Sequence, residues 1–143
     1  MIRVLVADDH PIYRDGLART LADAGDIEVI GTAGDGEEAV RQVQALGPDL
    51  ALLDISMPKG GGMGALERIM AMDAPPKVAM ITASEDEGDL MQALKGGAIG
   101  YVLKGIGADD LVAVVRDLAA GRTYVSPGLA GRVLVALRAR PAA

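Results

Sequence analysis

Near the start of the chain stands the sequence Val4-Leu5-Val6-Ala7-Asp8-Asp9-His10-Pro11, an apolar run followed directly by two acids. A short run rich in β-branched residues and closed by turn-forming residues predicts a buried strand. Four more runs of this kind follow, at residues 27–30, 50–53, 78–81 and 99–103. Segments with apolar residues at helical spacing separate the runs, and glycine or proline stands where most of these segments end.

Strict alternation of strands and helices predicts an α/β fold in which helices cover both faces of a parallel sheet. Because crossovers between parallel strands are right-handed, we expect a doubly wound sheet of five strands. We assign residues 1–121 to this domain and residues 122–143 to a linker and a partial helix. Leu129, Val133, Leu134 and Leu137 in the second segment are spaced for one helical face.

Composition narrows the class of protein. The 143 residues are enough for one domain, and half of them are apolar. The absence of cysteine excludes disulfides, thiolate catalysis and cysteine-based zinc sites. No uncharged run approaches the roughly 20 residues of a membrane span, and Met1 leads directly into the first strand without a signal peptide. We therefore expect a cytoplasmic protein that does not contact a membrane.

The charge of the chain is uneven. The net charge is −6, yet residues 121–143 contain four arginines and no acid, which leaves −10 on residues 1–120. A body this acidic repels nucleic acid, so we do not expect it to bind DNA itself.

Polar and charged side chains stand at the ends of four of the runs. Asp8 and Asp9 follow the first run, Asp54 follows the third, Thr82 ends the fourth and Lys104 ends the fifth. Taken singly, an aspartate after a strand is more often a helix cap or a turn former. The carboxyl ends of parallel strands meet at one edge of the sheet, however, and clustered carboxylates there suit a hard divalent cation. The pattern therefore predicts a metal-assisted site.

The motifs VADDHP at 6–11, DISMP at 54–58, TA at 82–83 and GAIGYVLK at 97–104 stand at those positions. Together they resemble the receiver domain of two-component response regulators. The DDHP opening, GYVLK and the segment GRTYVSP at 121–127 resemble specifically the NarL/FixJ (LuxR-type) branch. The resemblance implies a flavodoxin-like (βα)5 fold with strand order 2-1-3-4-5.

The resemblance also implies the chemistry of the site. Asp54 would be the nucleophile that accepts a phosphoryl group from a phosphohistidine on a sensor histidine kinase. Mg²⁺ would be held by Asp9, Asp54 and the backbone carbonyl of Ser56, with Asp8 acting through a water molecule. Lys104 would pair with a phosphoryl oxygen.

A conformational switch is the second implication. Thr82 would donate its hydroxyl to the phosphoryl group, and Tyr101 would turn inward on activation. A protein of this kind is a phosphorylation switch rather than a turnover enzyme. It could form a homodimer when phosphorylated, and it would control transcription through a C-terminal helix-turn-helix domain beyond Ala143, its only route to DNA.

Alternatives remain at this stage. A stand-alone receiver would act through protein–protein contacts, and a pseudo-receiver would never be phosphorylated, although pseudo-receivers usually lack an acid or the lysine. An aspartate-nucleophile phosphatase would resemble D-x-D-x-T, and the second aspartate is missing after Asp54. We interpret His10 as a loop residue rather than a phosphohistidine or ligand. The glycines at 31–36 have the wrong spacing for a dinucleotide loop.

Overall fold

In the computed structural model, which describes residues 1–138, strands and helices alternate along the chain. The strands are β1 (Ile2–Ala7), β2 (Ile27–Ala33), β3 (Leu50–Leu53), β4 (Lys77–Thr82), β5 (Gly100–Leu103) and β6 (Tyr124–Val125). The helices are α1 (Pro11–Ala22), α2 (Gly36–Leu46), α3 (Gly61–Met70), α4 (Glu87–Lys95), α5 (Ala108–Ala119) and α6 (Pro127–Arg138). All strands run parallel in one sheet, in the order β2-β1-β3-β4-β5-β6. Within the described residues, each helix is too short or too polar to cross a bilayer.

The predicted doubly wound α/β fold is confirmed, together with the order of the first five strands. The predicted number of strands is wrong, because β6 extends the sheet beyond β5, with Tyr124 opposite Gly100 and Val125 opposite Tyr101. Two residues are too few to show the alternation that marks a strand, so the sequence pattern assigned them to the linker. The boundary after residue 121 stays a prediction, and residues 139–143 of the predicted linker and partial helix lie outside the described residues.

Two apolar layers, one on each face of the sheet, form the core. Successive residues of a strand point to opposite faces, so Leu50 and Leu52 pack in one layer while Ala51 and Leu53 pack in the other. The first layer is covered by α1 and α5, and the second by α2, α3, α4 and α6. Tyr101 of β5 lies in the second layer and is fully buried. The sheet is thus covered on both faces, and its polar groups concentrate at the strand ends.

The turn between β3 and α3 depends on glycine. Gly60 and Gly61 have φ angles of 96° and 66°, in the left-handed region that side chains with a Cβ rarely adopt. A Cβ at Gly62 would overlap the backbone carbonyl of Asp54, and the backbone N–H of Gly62 donates to the carbonyl of Ile55 at 3.0 Å. The glycine cluster therefore lets α3 begin directly against the backbone of Asp54.

Candidate functional site

Three charged side chains meet at the carboxyl end of the sheet. Asp8 follows β1, Asp54 follows β3 and Lys104 follows β5. Nζ of Lys104 lies 2.7 Å from Oδ2 of Asp8 and 3.1 Å from Oδ2 of Asp54. Asp8 is 0% exposed and Asp54 is 2% exposed, so the two carboxylates are withdrawn from water. The structure thus brings together the residues that the sequence places after the first, third and fifth strands.

Asp9 adds a further carboxylate to this cluster. One possible ligand atom from each of Asp8, Asp9, His10 and Asp54 lies within 4.8 Å of the others. Oδ1 of Asp9 is shielded from solvent and accepts no well-aligned hydrogen bond from the described residues, although Nδ1 of His10 lies 3.1 Å away. Carboxylate oxygens with free lone pairs are the ligands that hard divalent cations prefer. The donor set therefore fits a divalent metal ion.

Backbone hydrogen bonds orient two of the carboxylates. The N–H of His10 donates to Oδ1 of Asp8 at 2.8 Å, and the N–H of Ser56 donates to Oδ1 of Asp54 at 3.3 Å. Each bond holds one carboxylate oxygen in its turn, while the other oxygen contacts Lys104. The expected contribution of the backbone carbonyl of Ser56 to metal binding stays a prediction.

The pKa values of Asp54 and Lys104 are both raised above their ordinary values. Burial raises the pKa of Asp54, the hydrogen bond from Lys104 opposes that rise, and the negative charge of Asp8 adds to it. Burial opposes the charged form of Lys104, but the hydrogen bonds and charges of Asp8 and Asp54 outweigh it and raise the Lys104 pKa. Two buried carboxylates thus share one ammonium group, and a bound cation would relieve their repulsion.

Thr82 and Tyr101 are connected through the loop between β4 and α4. Thr82 is buried at the end of β4, and its hydroxyl oxygen accepts from the backbone N–H of Ser84 at 3.0 Å. The Tyr101 hydroxyl donates to the backbone carbonyl of Ser84 at 3.0 Å. The Ser84 hydroxyl in turn donates to Asp89 of α4 at 2.6 Å. The two side chains proposed as switch residues are therefore bonded to the same loop residue.

Three neighbours of the cluster, at the start of α1, were not evident from the sequence pattern. His10 lies in the loop before α1, as the sequence indicates, but its Nδ1 is 3.1 Å from Oδ1 of Asp8. The ring of Tyr13 lies 4.5 Å from Nζ of Lys104, and the Arg14 guanidinium donates to the backbone carbonyl of Asp8 at 3.0 Å. The short connection between the first strand and the first helix is the signal that could have indicated these contacts.

The sequence profile of the response regulator receiver domain matches residues 4–116 of the chain. The chain belongs to this family. It is therefore a receiver domain of the two-component response regulators, whose members are regulatory switches. The resemblance stated from the motifs is confirmed for the family, and the similarity to NarL and GacA proteins supports the NarL/FixJ branch.

Two curated relatives and one solved structure illustrate the similarity. Response regulator GacA of Pseudomonas viridiflava is 39% identical over 130 residues, which cover 91% of this chain and 61% of the relative. The nitrate/nitrite response regulator protein NarL of Escherichia coli is 35% identical over 139 residues, which cover 97% of this chain and 64% of the relative. The signal receiver domain of NarL from Mycobacterium tuberculosis is 38% identical with a TM-score of 0.82, covering 85% of this chain and 98% of that structure. The chain thus spans less than two thirds of each curated relative.

Proposed function

We propose that this receiver is a phosphorylation switch in which Asp54 accepts a phosphoryl group from a phosphohistidine of a sensor histidine kinase, with the help of Mg²⁺. The position of the Asp54 carboxylate carries the proposal. It ends β3, lies 3.1 Å from the ammonium group of Lys104 and belongs to the group of residues that can hold a metal ion. Membership of the receiver family supports the same role.

The reaction is an in-line transfer between two anions. A carboxylate oxygen of Asp54 attacks the phosphorus atom, and the phosphorus–nitrogen bond of the donor breaks with its electron pair returning to the imidazole. An acyl phosphate remains on Asp54. Mg²⁺, when bound, supplies the charge neutralisation that the approach of two anions requires.

Other residues of the site would bind the metal ion and neutralise the phosphoryl group. Asp9, Asp54 and the backbone carbonyl of Ser56 would hold the metal ion, and Asp8 would act on it through a water molecule. Lys104 already contacts Asp54, so its ammonium group can neutralise a phosphoryl oxygen on that side chain as a point charge.

Thr82 and Tyr101 supply the response in this proposal. The buried hydroxyl of Thr82 has a proton to donate to the phosphoryl group, because its bond to Ser84 uses only a lone pair. The response of Thr82 reaches Tyr101 through Ser84, because the Tyr101 hydroxyl donates a hydrogen bond to the Ser84 carbonyl. The protein turns over no external substrate and acts as a cytoplasmic regulator.

The output of the switch is transcription in the favoured version of the proposal. The relatives are longer than this chain, and a helix-turn-helix domain following residue 143 would bind DNA, with the phosphorylated receiver as a homodimer. A stand-alone receiver that acts through protein contacts is the alternative. Sequencing the gene beyond the codon for Ala143 separates the two.

A small phosphodonor tests the phosphoacceptor directly. Incubation with acetyl phosphate and Mg²⁺ should add one phosphoryl group to the intact mass, and the adduct should be labile to alkali. Asp54→Asn should abolish the adduct, whereas Asp73→Asn, at an exposed position after α3, should leave it unchanged. An adduct that is stable to alkali, or that persists in Asp54→Asn, contradicts the proposal. Turnover of a chromogenic phosphoester would instead favour an aspartate-nucleophile phosphatase, the enzyme considered as an alternative from the sequence.

A further inference from the structure

An aromatic ring lies against the charged cluster at the start of α1. Tyr13 is the third residue of this helix, and its side chain packs at the margin of the core layer covered by α1 and α5. Leu17 of α1 and Leu111 of α5 belong to that layer and line a groove together with Tyr13 and Lys104. The apolar neighbours therefore hold the ring beside the polar edge of the sheet.

The ammonium group of Lys104 lies over the face of this ring. Nζ is 4.5 Å from the ring centroid, and a cation within about 6 Å of an aromatic face is attracted by its electrons. The same Nζ contacts the carboxylates of Asp8 and Asp54 at 2.7 Å and 3.1 Å. An ammonium group has three N–H donors, so the two carboxylates and the ring can hold it at the same time.

A lysine at this position needs such support. The backbone of Lys104 is fixed, since its N–H donates to the carbonyl of Thr82 at 2.9 Å. Its charge, however, lies at the end of a flexible four-carbon stem and has no planar shape that would orient it. One of its two carboxylate partners, Asp54, is also the group that is proposed to react. The ring is therefore a contact of Lys104 that the reaction does not use.

The ring attracts the ammonium group without adding a negative charge. Burial raises the pKa of the Tyr13 hydroxyl, the charge of Lys104 opposes this rise, and the charges of Asp8 and Asp54 add to it. The phenol thus stays neutral near neutral pH. A further carboxylate at this place would repel an anionic phosphodonor, whereas a neutral ring does not.

We propose that Tyr13 is a positioning residue for phosphotransfer, whose ring keeps the ammonium group of Lys104 beside the Asp54 carboxylate while the phosphoryl group arrives. The inference rests on the proposed function for the reaction itself. As the new bond forms on Asp54, the ammonium group exchanges a carboxylate oxygen for a phosphoryl oxygen as its acceptor. A hydrogen bond depends steeply on direction, but attraction to a ring face tolerates a small shift of the cation. The ring can therefore hold Lys104 throughout the exchange.

Nuclear magnetic resonance of the lysine side chains tests the contact in the free protein. An aromatic ring shields protons that lie over its face, so the ε-methylene protons of Lys104 should resonate upfield of those of the other lysines. Tyr13→Phe should keep this upfield shift, and Tyr13→Leu should abolish it. If the Lys104 protons of the wild type resonate at the ordinary lysine position, the contact is overturned.

The rate of modification by acetyl phosphate tests the positioning, because so small a donor has no protein surface that could dock on α1. Tyr13→Leu keeps an apolar side chain but removes the aromatic face, and it should slow the modification of Asp54 about fivefold. Tyr13→Phe should restore most of the wild-type rate. Tyr124→Leu is the matched control, because it removes a ring from the same core layer at the other end of β5. It should leave the rate, measured by intact mass against time, unchanged.

A double-mutant cycle separates positioning from packing. Once Lys104→Met has removed the cation, the ring has nothing to hold, and Tyr13→Leu should have no further effect on the rate. If Tyr13→Leu slows the reaction by the same factor with and without Lys104, the ring acts through packing alone and the positioning role is wrong. If Tyr13→Leu does not fold, Tyr13→Met, another unbranched apolar replacement, takes its place in the cycle.

The outcomes distinguish this inference from the proposed function. Modification of Asp54 at the wild-type rate in Tyr13→Leu overturns the positioning role and leaves the proposed function intact. A wild-type protein that accepts no phosphoryl group contradicts the proposed function and, with it, the reaction that Tyr13 would assist. An upfield Lys104 signal together with a rate loss that depends on Lys104 and is rescued by Tyr13→Phe supports both.

Discussion

The two ends of the sheet each hold a carboxylate paired with a cation, and the pairs behave in opposite ways. At the carboxyl end, Lys104 lies 3.1 Å from Asp54, and burial raises the pKa of that aspartate. At the amino end, just before β2, Arg116 lies 2.8 Å from Asp26, and its hydrogen bonds lower the pKa of that aspartate.

Solvent explains the difference. The Asp54 side chain is 3% exposed and has the charge of Asp8 beside it, whereas the Asp26 side chain is 50% exposed. A short distance between opposite charges therefore does not make a pair stabilising, because withdrawal of the carboxylate from water can outweigh the attraction. The carboxyl end keeps an unfavourable charge distribution that a bound cation would relieve, and the amino end holds an ordinary surface ion pair.

The largest difference between the two ends concerns phosphorylation. Lys104→Met removes the ammonium group and keeps most of the side-chain stem, so acetyl phosphate should modify Asp54 about 100-fold more slowly. Arg116→Met, the matched change at the amino end, should leave the rate unchanged. The rates are measured by intact mass against time. Equal rates in Lys104→Met and the wild type would show that Lys104 does not act in the transfer of the phosphoryl group.

The lifetime of the phosphoryl group should respond to two serines at the carboxyl end. Neither Ser56 nor Ser84 offers a carboxylate or a carboxamide, and the Ser84 hydroxyl is bonded to Asp89 rather than free to orient water. Ser56→Asn combined with Ser84→Glu should therefore accelerate dephosphorylation about tenfold, measured by loss of mass after donor removal. Ala74→Glu at the amino end is the control. A slower loss in the double variant would show that water is already well positioned.

Stability without metal should rise when a charge is removed from the carboxyl end. Two like charges about 5 Å apart repel by roughly 3 kcal/mol at an effective dielectric constant near 20, and Lys104 offsets only part of this. Asp9→Asn and Asp54→Asn should therefore melt about 3 °C above the wild type in chelator, while Asp26→Asn should melt slightly below it.

Added Mg²⁺ completes that experiment. In the proposed function Mg²⁺ binds only the folded site, so it should raise the melting temperature of the wild type by mass action. The rise should be smaller for Asp9→Asn, because one proposed ligand is gone. If both carboxyl-end variants melt below the wild type without metal, their carboxylates are structural hydrogen-bond partners instead.

The smallest effects appear in the dependence of stability on pH. Above the raised pKa of Asp54, Asp54→Asn should be more stable than the wild type, and this advantage should vanish as the pH falls from that pKa to the ordinary value of 3.8. Asp26→Asn should be less stable than the wild type, and its deficit should persist to pH 3.8 and vanish only below it. Urea unfolding over a pH series measures both. If the stabilities of Asp54→Asn and Asp26→Asn converge on that of the wild type over the same pH range, the pKa values of the two aspartates are not shifted in opposite directions.

The sequence pattern predicted most of the fold, because strands and helices alternate along the chain. It also predicted the centre of the site, because the residues of the site directly follow strands. Parallel strands bring their carboxyl ends to one edge, so Asp8, Asp54 and Lys104 could be placed together from position alone. Their roles in phosphotransfer came from the resemblance and stay predictions.

Tertiary packing explains what the sequence did not reveal. Tyr124 and Val125 form a strand only because the edge of β5 is free to accept them. Gly62 is needed where α3 meets the backbone of Asp54, a contact that arises only in the folded chain. The bond between Tyr101 and Ser84 joins β5 to the loop after β4, and no local pattern connects these two places.

The chain contains three tyrosines and no tryptophan or phenylalanine, and this gives it a built-in optical probe. One phenol ring lies over the ammonium group of Lys104, another is bonded to the loop after Thr82, and the third belongs to β6. The near-ultraviolet spectrum of the protein therefore arises entirely from a ring beside Lys104, a ring bonded to the loop after Thr82 and a ring in β6. Ultraviolet absorption and circular dichroism can follow those three places in unlabelled protein without background from the rest of the molecule.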